Sequence, residues 1–315
     1  MSGQQNLAQT RVVDPILSEH ARGYRQAGLI ANVLFHFADV SSYGGKVIEF
    51  DKAAFVKANS KRAPGTTTKR IQFGYEGKPY AIIPSALEAP VPRERMRDAS
   101  QVPGINLASR AVNTVLRSLQ LEFEIDAAAI ATDASRYDNN HKLTLTGTDV
   151  WSDPDSDPVA DVEAGREAIR SSVGLYPNTM ELPAKTLAKL KTHPKLIDRA
   201  STAGIKVVTL DLLKVVFEIE NIVVGTAVQA VTKDSDLTDV WGTSVVLAYV
   251  SPGANVDANI DEPSYAYGYR IEGMPLVEVP YWDAPAKSWI YGVSNDATPV
   301  LSGMDAGFLI IGAGL

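Results

Sequence analysis

Residues 107–130 read LASRAVNTVLRSLQLEFEIDAAAI. Val112, Val115, Leu116, Leu119, Phe123 and Ile130 recur at helical spacing and fall on one face. Pro103 and Gly104 precede the run and Asn106 offers an N-cap. A single helix of about 35 Å is expected, at about 1.5 Å of rise per residue. That is long for a globular helix and suits a spine on which other elements pack. The stripe of Val112, Val115, Leu116, Leu119 and Phe123 is therefore read as packing and not as chemistry.

Upstream of the spine, residues 44–85 read as a projecting β-hairpin. Residues 47–50 and 70–83, the latter carrying Phe73 and Tyr75, are rich in β-branched and aromatic side chains. Between them lies a turn-rich basic stretch with Lys57, Lys61, Arg62, Pro64, Gly65, Lys69 and Arg70. From residue 46 to residue 78 there are 8 basic and 3 acidic side chains. Strands of about 15 residues at about 3.3 Å each reach about 50 Å. The radius of gyration of a compact chain of this length is only about 20 Å. Such a hairpin extends beyond its own subunit, and a two-stranded ribbon alone is marginal in water, so it needs a neighbour to lie on. The plainer alternative is an ordinary surface hairpin. Residues 1–43 hold only short apolar clusters among Gly, Gln and Ser, and read as an arm laid on something else.

Downstream, residues 131–158 form a polar excursion ending in Trp151, Ser152, Asp153, Pro154, Asp155, Ser156, Asp157 and Pro158, which is strong turn chemistry. A helix over 159–173 follows, begun by Asp157 or Pro158 and stopped by Gly174. Next come a short strand, a helix through Leu187 and Leu190 broken at His193-Pro194, one more turn to about residue 199, a helix over 210–218, and strands over 222–231 and 244–250. This alternation describes a compact α/β lobe over 160–262. From residue 264 onward only strands are expected, over 265–271, 276–282, 288–293 and 307–311. Lacking helices of their own, they are expected to return onto the spine, which makes the lobe an insertion. The fold class is α+β.

Composition narrows the function. The chain has 315 residues, 45% of them hydrophobic and 21% charged, enough for a large core. It has no cysteine, which excludes disulfides and thiolate metal sites. His20, His36, His141 and His193 are scattered, without the spacing of a metal or catalytic motif. Residues 1–20 lack the apolar segment of a signal peptide, and no run approaches the ~20 apolar residues that span a bilayer. A protein made and used in a cytoplasm, with no membrane partner, is expected. The net charge of −7 argues against a nucleic-acid binder as such. The charge is uneven: residues 1–110 carry 15 Lys and Arg against 9 Asp and Glu, so a basic part and an acidic remainder can attract each other between copies. Asp153, Asp155 and Asp157 mimic the start of a calcium loop, but Pro158 and Ala164 stand where glycine and a bidentate Glu are needed. Gly44-Gly45-Lys46 lacks the rest of a phosphate loop, and no nucleophile-elbow, zincin or dinucleotide motif occurs. No cofactor, metal or catalytic residue is assigned, and the chain is read as not an enzyme.

The order of arm, basic hairpin, long helix, inserted lobe and returning strands resembles the capsid fold of tailed-phage major capsid proteins, the Hong Kong 97 type. Short stretches of sequence carry the same resemblance across about 60–250. They are Arg62-Ala63-Pro64-Gly65-Thr66, Trp151 with Ser156-Asp157-Pro158-Val159-Ala160-Asp161-Val162 and Ala164-Gly165, and Gly174 with Pro177-Asn178-Thr179. Further along are Leu190 with His193-Pro194 and Asp198-Arg199, Asp211-Leu212-Leu213, and Trp241-Gly242 with Ser244 and Leu247-Ala248-Tyr249-Val250. The resemblance implies names for the parts. Residues 1–43 would be the N-terminal arm and 44–85 the extended loop. Residues 86–159 with 263–315 would form the peripheral domain, and 160–262 the axial domain.

It also implies the work: self-assembly into hexamers and pentamers of an icosahedral shell, in the host bacterial cytoplasm, around double-stranded DNA held without sequence-specific binding. Lys57, Lys61, Arg62, Lys69, Arg70, Phe73 and Tyr75 are the expected contacts between subunits. A portal protein is an implied partner, and a decoration protein is a further candidate. No long charged helix precedes the arm and the chain opens on Met1, so a separate scaffolding protein is expected. Some members join a loop lysine to a neighbour's asparagine; no such crosslink is expected here. The rival readings are a nanocompartment (encapsulin-like) shell of the same fold and, from another class, a carboxylate-based hydrolase.

Overall fold

The computed structural model describes residues 13–24, 26–46, 79–99, 106–202, 207–232, 234–251 and 264–315. The chain enters through helix α1 (Pro15–Gly23), whose N-terminus is capped by the Asp14 side chain accepting from the Ile16 and Leu17 N–H groups. A single turn, α2 (Ala31–Leu34), runs straight into strand β1 (Phe35–Val40). Strands β2 (Gly44–Lys46) and β3 (Pro79–Ala81) pair antiparallel with Gly45 opposite Tyr80. Strand β4 (Ala86–Pro92) and the short helix α3 (Arg93–Ala99) follow. The spine is α4 (Leu107–Ala131), 25 residues long, with the Asn106 side chain accepting from the Ser109 N–H at 3.1 Å.

Strand β5 (Lys142–Thr144) precedes α5 (Pro158–Val173), which starts at the Asp157 cap and stops where Gly174 turns left-handed at φ 74°. Then come β6 (Thr179–Pro183), α6 (Ala184–Thr192), α7 (Pro194–Thr202), α8 (Leu210–Phe217), β7 (Asn221–Gly225), the short pair β8 (Val228–Gln229) and β9 (Thr238–Asp239), and β10 (Val245–Ala248). The return consists of β11 (Ala266–Ile271), β12 (Leu276–Val277), β13 (Tyr281–Asp283), β14 (Ser288–Ser294), β15 (Ala297–Leu301) and β16 (Gly307–Ile311).

Among the described residues these strands form three larger sheets. One has the order β1-β11-β15, and another the order β5-β16-β10-β6-β7. In the third, β14 is flanked by β4 on one edge and by β12 and β13 in succession on the other. The spine joins two cores. Its first half buries Val112, Val115, Leu116 and Leu119 against Val91, Val277, Tyr291 and Val293. Its second half puts Phe123, Ala127, Ala128 and Ala131 into the larger core with Met180, Leu182, Val246 and Leu309 of the five-stranded sheet.

Several expectations change. Residues 30–40 are not an arm lying on something else: Leu34 and Phe35 are fully buried, and β1 pairs in parallel with β11. Its partner lies over two hundred residues away, which no local pattern reveals. The last strand does not return to the spine. It enters the sheet of the lobe between β5 and β10, so 160–262 is not a closed insertion. The cause is apolarity on both faces: four of the five residues of Gly307–Ile311 are buried, as an interior strand covered on both sides requires. The expected strand over 276–282 is interrupted, with Pro280 lacking the N–H to continue the ladder. Strands β4 and β15 were not expected because each contains proline (Pro90 and Pro92, Pro299). Both are edge strands, where proline is tolerated. After His193 the chain forms a nine-residue helix and not one turn.

Candidate assembly surfaces and the joint between the cores

The motifs that make the lobe legible in sequence turn inward. The fully buried Trp151 donates its indole N–H to Asp161 at 2.8 Å, which ties the turn before α5 to that helix's first turn. The buried His193 ring places Nε2 3.2 Å from Ser156 Oγ and 3.1 Å from the Asp153 carbonyl, joining the break before α7 to the same turn. Asp153 accepts from the Asp155 N–H and Asp157 from the Ala160 N–H, so these carboxylates act as turn and cap devices. Asn178 donates to the Val250 carbonyl and accepts from the Val250 N–H, stitching the start of β6 to the chain beyond β10. At Gly165 a Cβ would lie 2.7 Å from Leu247 and 2.8 Å from Phe308, so glycine lets α5 press onto the sheet.

Two buried carboxylates, missed in the sequence, occupy the joint between the cores. Glu124 is on the spine between Phe123 and Ala127 and is 1% exposed. It accepts from the N–H groups of Ile30 (3.0 Å) and Ala31 (2.7 Å) and from the Trp241 indole N–H (2.7 Å). Burial raises its pKa and those donors oppose the rise. Glu181 is on β6, fully buried, and neither carboxyl oxygen has a hydrogen-bond partner among the described residues. Burial, with a lesser push from Glu124, holds its pKa well above the usual carboxylate range. The available signal was a lone acid within the apolar run Met180-Glu181-Leu182. Among the described residues, Asp138, His141 and Asp305 could also gather round a cation. Asp138 Oδ1 already accepts from the N–H groups of Asn140 and His141 and lies 2.8 Å from His141 Nδ1. That closes the turn into β5.

Among the described residues, exposed apolar side chains include two groups of interest. Tyr281, Trp282 and Trp289 are partly exposed on the sheet centred on β14, with the two indoles edge-on at 5.7 Å. Val228, Val231 and Leu237 are exposed on the lobe around β8 and β9, and Val215 is exposed on α8. A cleft open to solvent lies beside the spine, lined by Gln26, Phe37, Gln120, Glu124 and Arg270 among others.

Of the residues singled out in sequence, Val112, Val115, Leu116, Leu119 and Phe123 are all buried on one face of α4. Lys57, Lys61, Arg62, Lys69, Arg70, Phe73 and Tyr75 lie outside the described residues. The strands that flank them in sequence, β2 and β3, are described. Tyr43 donates to Asp296 Oδ2 at 2.7 Å, Asp296 Oδ1 accepts from the Ser85 N–H, and Tyr80 stacks on Tyr269 at 4.3 Å. These contacts hold the β2–β3 pair and Ser85 against β11 and the chain before β15. No helix among the described residues is long and apolar enough to cross a membrane.

No family model matches the chain. Over 308 residues it is 35% identical to the major capsid protein of Burkholderia phage BcepMu, covering 97% of this chain and 98% of that relative. It is 58% identical to a phage-related protein of Bordetella bronchiseptica RB50 whose crystal structure superposes with a TM-score of 0.85, covering 97% of this chain and 98% of the other. A capsid chain of the cyanophage P-SCSP1u, 10% identical, superposes with a TM-score of 0.56 over 99% of this chain and 91% of its own, a likeness of fold alone.

Proposed function

The chain belongs to the phage major capsid proteins, with the Hong Kong 97-like fold, and we propose that its work is to build hexamers and pentamers of an icosahedral shell around double-stranded DNA. The observation that carries this is the likeness to a major capsid protein along nearly the whole length of both chains. The role is structural: contacts that are each modest are multiplied by closed, symmetric repetition. No catalytic step is proposed.

In this reading 44–85 is the extended loop, rooted at Asp296 and reaching a neighbouring subunit. Lys57, Lys61, Arg62, Lys69 and Arg70 supply positive charge to that neighbour's acidic surface, and Phe73 and Tyr75 supply apolar contact. The spine with the sheet centred on β14 forms the peripheral domain. The lobe, with β5 and β16 added to it, forms the axial domain, whose exposed valines meet around the five- and six-fold axes. Shells assemble in the host bacterial cytoplasm with a separate scaffolding protein and a portal. The net charge of −7 suits a container that holds DNA without gripping it. The test is electron microscopy of the protein expressed with its neighbouring genes. Icosahedral particles of uniform size are expected; a chain that stays monomeric under those conditions overturns the proposal.

A further inference from the structure

The spine passes from one core to the other between Leu119 and Phe123, and a pair of carboxyl groups sits at that crossing. Glu124 brings together three parts of the chain: the spine it stands on, the turn at Ile30 and Ala31, and Trp241 of the lobe. All three donors point at Glu124, so its carboxylate is the satisfied member. Glu181 is the unsatisfied one. It stands on the interior strand β6, between Val246 of β10 and Val223 of β7, and strands on both sides seal it. A Cβ added at Gly225 would lie within 3 Å of both Glu181 Oε1 and the Trp241 ring, so the indole that serves Glu124 also borders Glu181. The groups facing Glu181 are Glu124 from the spine and the Tyr265 hydroxyl, itself bonded to the Tyr137 hydroxyl; no cation offsets its charge among the described residues.

Two carboxylates cannot both be ionised in such a place, because a buried, unpaired charge beside a like charge is among the costliest arrangements in a protein. We propose that Glu181 carries a proton in the folded subunit and that the Glu124–Trp241–Glu181 joint is a pH-sensitive latch between the spine and the lobe. Acid and neutral solution keep it closed, and alkaline solution opens it. Glu124 borders the cleft beside the spine, so the joint lies just beneath that surface. Ionising Glu181 places a second negative charge behind the indole, and separating the lobe sheet from the spine relieves it. In a shell, such a change would alter the angle between the parts that meet neighbouring subunits; this consequence rests on the capsid reading, and the latch itself does not.

The sign follows from linkage. The folded state holds the proton more tightly than the unfolded chain, where the ordinary value is 4.5. Stability due to the proton is therefore complete below the unfolded value and is lost as pH rises towards and through the folded one. The experiment compares thermal unfolding of the full-length wild type with Glu181→Gln from pH 5 to pH 9. The amide reproduces the shape of the neutral carboxyl and cannot ionise. Expected is a wild-type Tm that falls across this range and a variant whose fall is much shallower, so that the two diverge most at pH 9. Parallel profiles overturn the latch, as does a flat wild-type profile. Failure of Glu181→Gln to fold overturns it too, since the variant preserves the closed, uncharged joint. A companion measurement on assembled shells follows release of subunits with pH by sedimentation, with release shifted to higher pH in the variant. Absence of shells would count against the proposed function and leave the unfolding comparison standing.

Discussion

Gly165 is the residue at which α5 touches its sheet. Replacing it by alanine gains about 1 kcal/mol of helix propensity. It also drives a Cβ to 2.7 Å from Leu247 and 2.8 Å from the Phe308 ring, both in the interior of the sheet. Overpacking of that kind costs about 1–3 kcal/mol. The packing term wins, and Gly165→Ala is expected to lower Tm by a few degrees in thermal unfolding. An unchanged or raised Tm would mean that the helix slides on its sheet without cost. The same inward placement explains why Trp151, His193, Asn178 and Trp241 stood out in the sequence. Each is a large or polar group whose neighbours are turns and strand ends, and exchanging it strands a buried polar atom or opens a cavity. The two carboxylates of the joint did not stand out, because one Glu in a helix and one in a strand resemble ordinary surface residues until both elements are placed.

Among the elements, the proposed extended loop over 44–85 carries the assembly prediction. The chain on either side of it is held on the subunit, where Asp296 accepts from the Tyr43 hydroxyl and the Ser85 N–H. Charge reversal of Lys61, Arg62, Lys69 and Arg70 to Glu is expected to leave a folded subunit that does not form stable shells. The checks are circular dichroism for the fold and sedimentation for the particles. Normal particles from that variant would remove electrostatics from the account of the loop. Helices were the legible elements: the limits of α4, α5 and α8 follow from Asn106, Asp157 with Gly174, and Thr209, whose caps act within four residues of sequence. Strands were less so. The prolines of β4 and β15 hide edge strands whose pairing is set by partners far along the chain.

At the scale of the molecule, the lobe depends on both sides of its own insertion. Strand β16 supplies the link between β5 and β10, and among the described residues β5 has no other strand partner. Removing residues 303–315 is expected to abolish cooperative unfolding of the lobe, giving a protease-sensitive chain, and not merely to impair assembly. A truncated chain that still unfolds in one sharp transition would show that the lobe closes without β16. The spine acts on the same scale. Because its two halves serve different cores, displacement at Glu124 is felt by both.

The sequence by itself determined the α+β class, the spine and its apolar face, the caps of the main helices and the basic character of the loop. Each of these is written in spacings of a few residues or in composition. Only the tertiary structure decided that residues 35–40 belong to the subunit's own sheet, that the last strand closes the lobe, and that Glu124 and Glu181 share one dry joint. The physical reason is common to all three. Strand partners and buried charges are defined by groups brought together from distant parts of the chain, and the cost of leaving them unpaired does not exist until the core has closed.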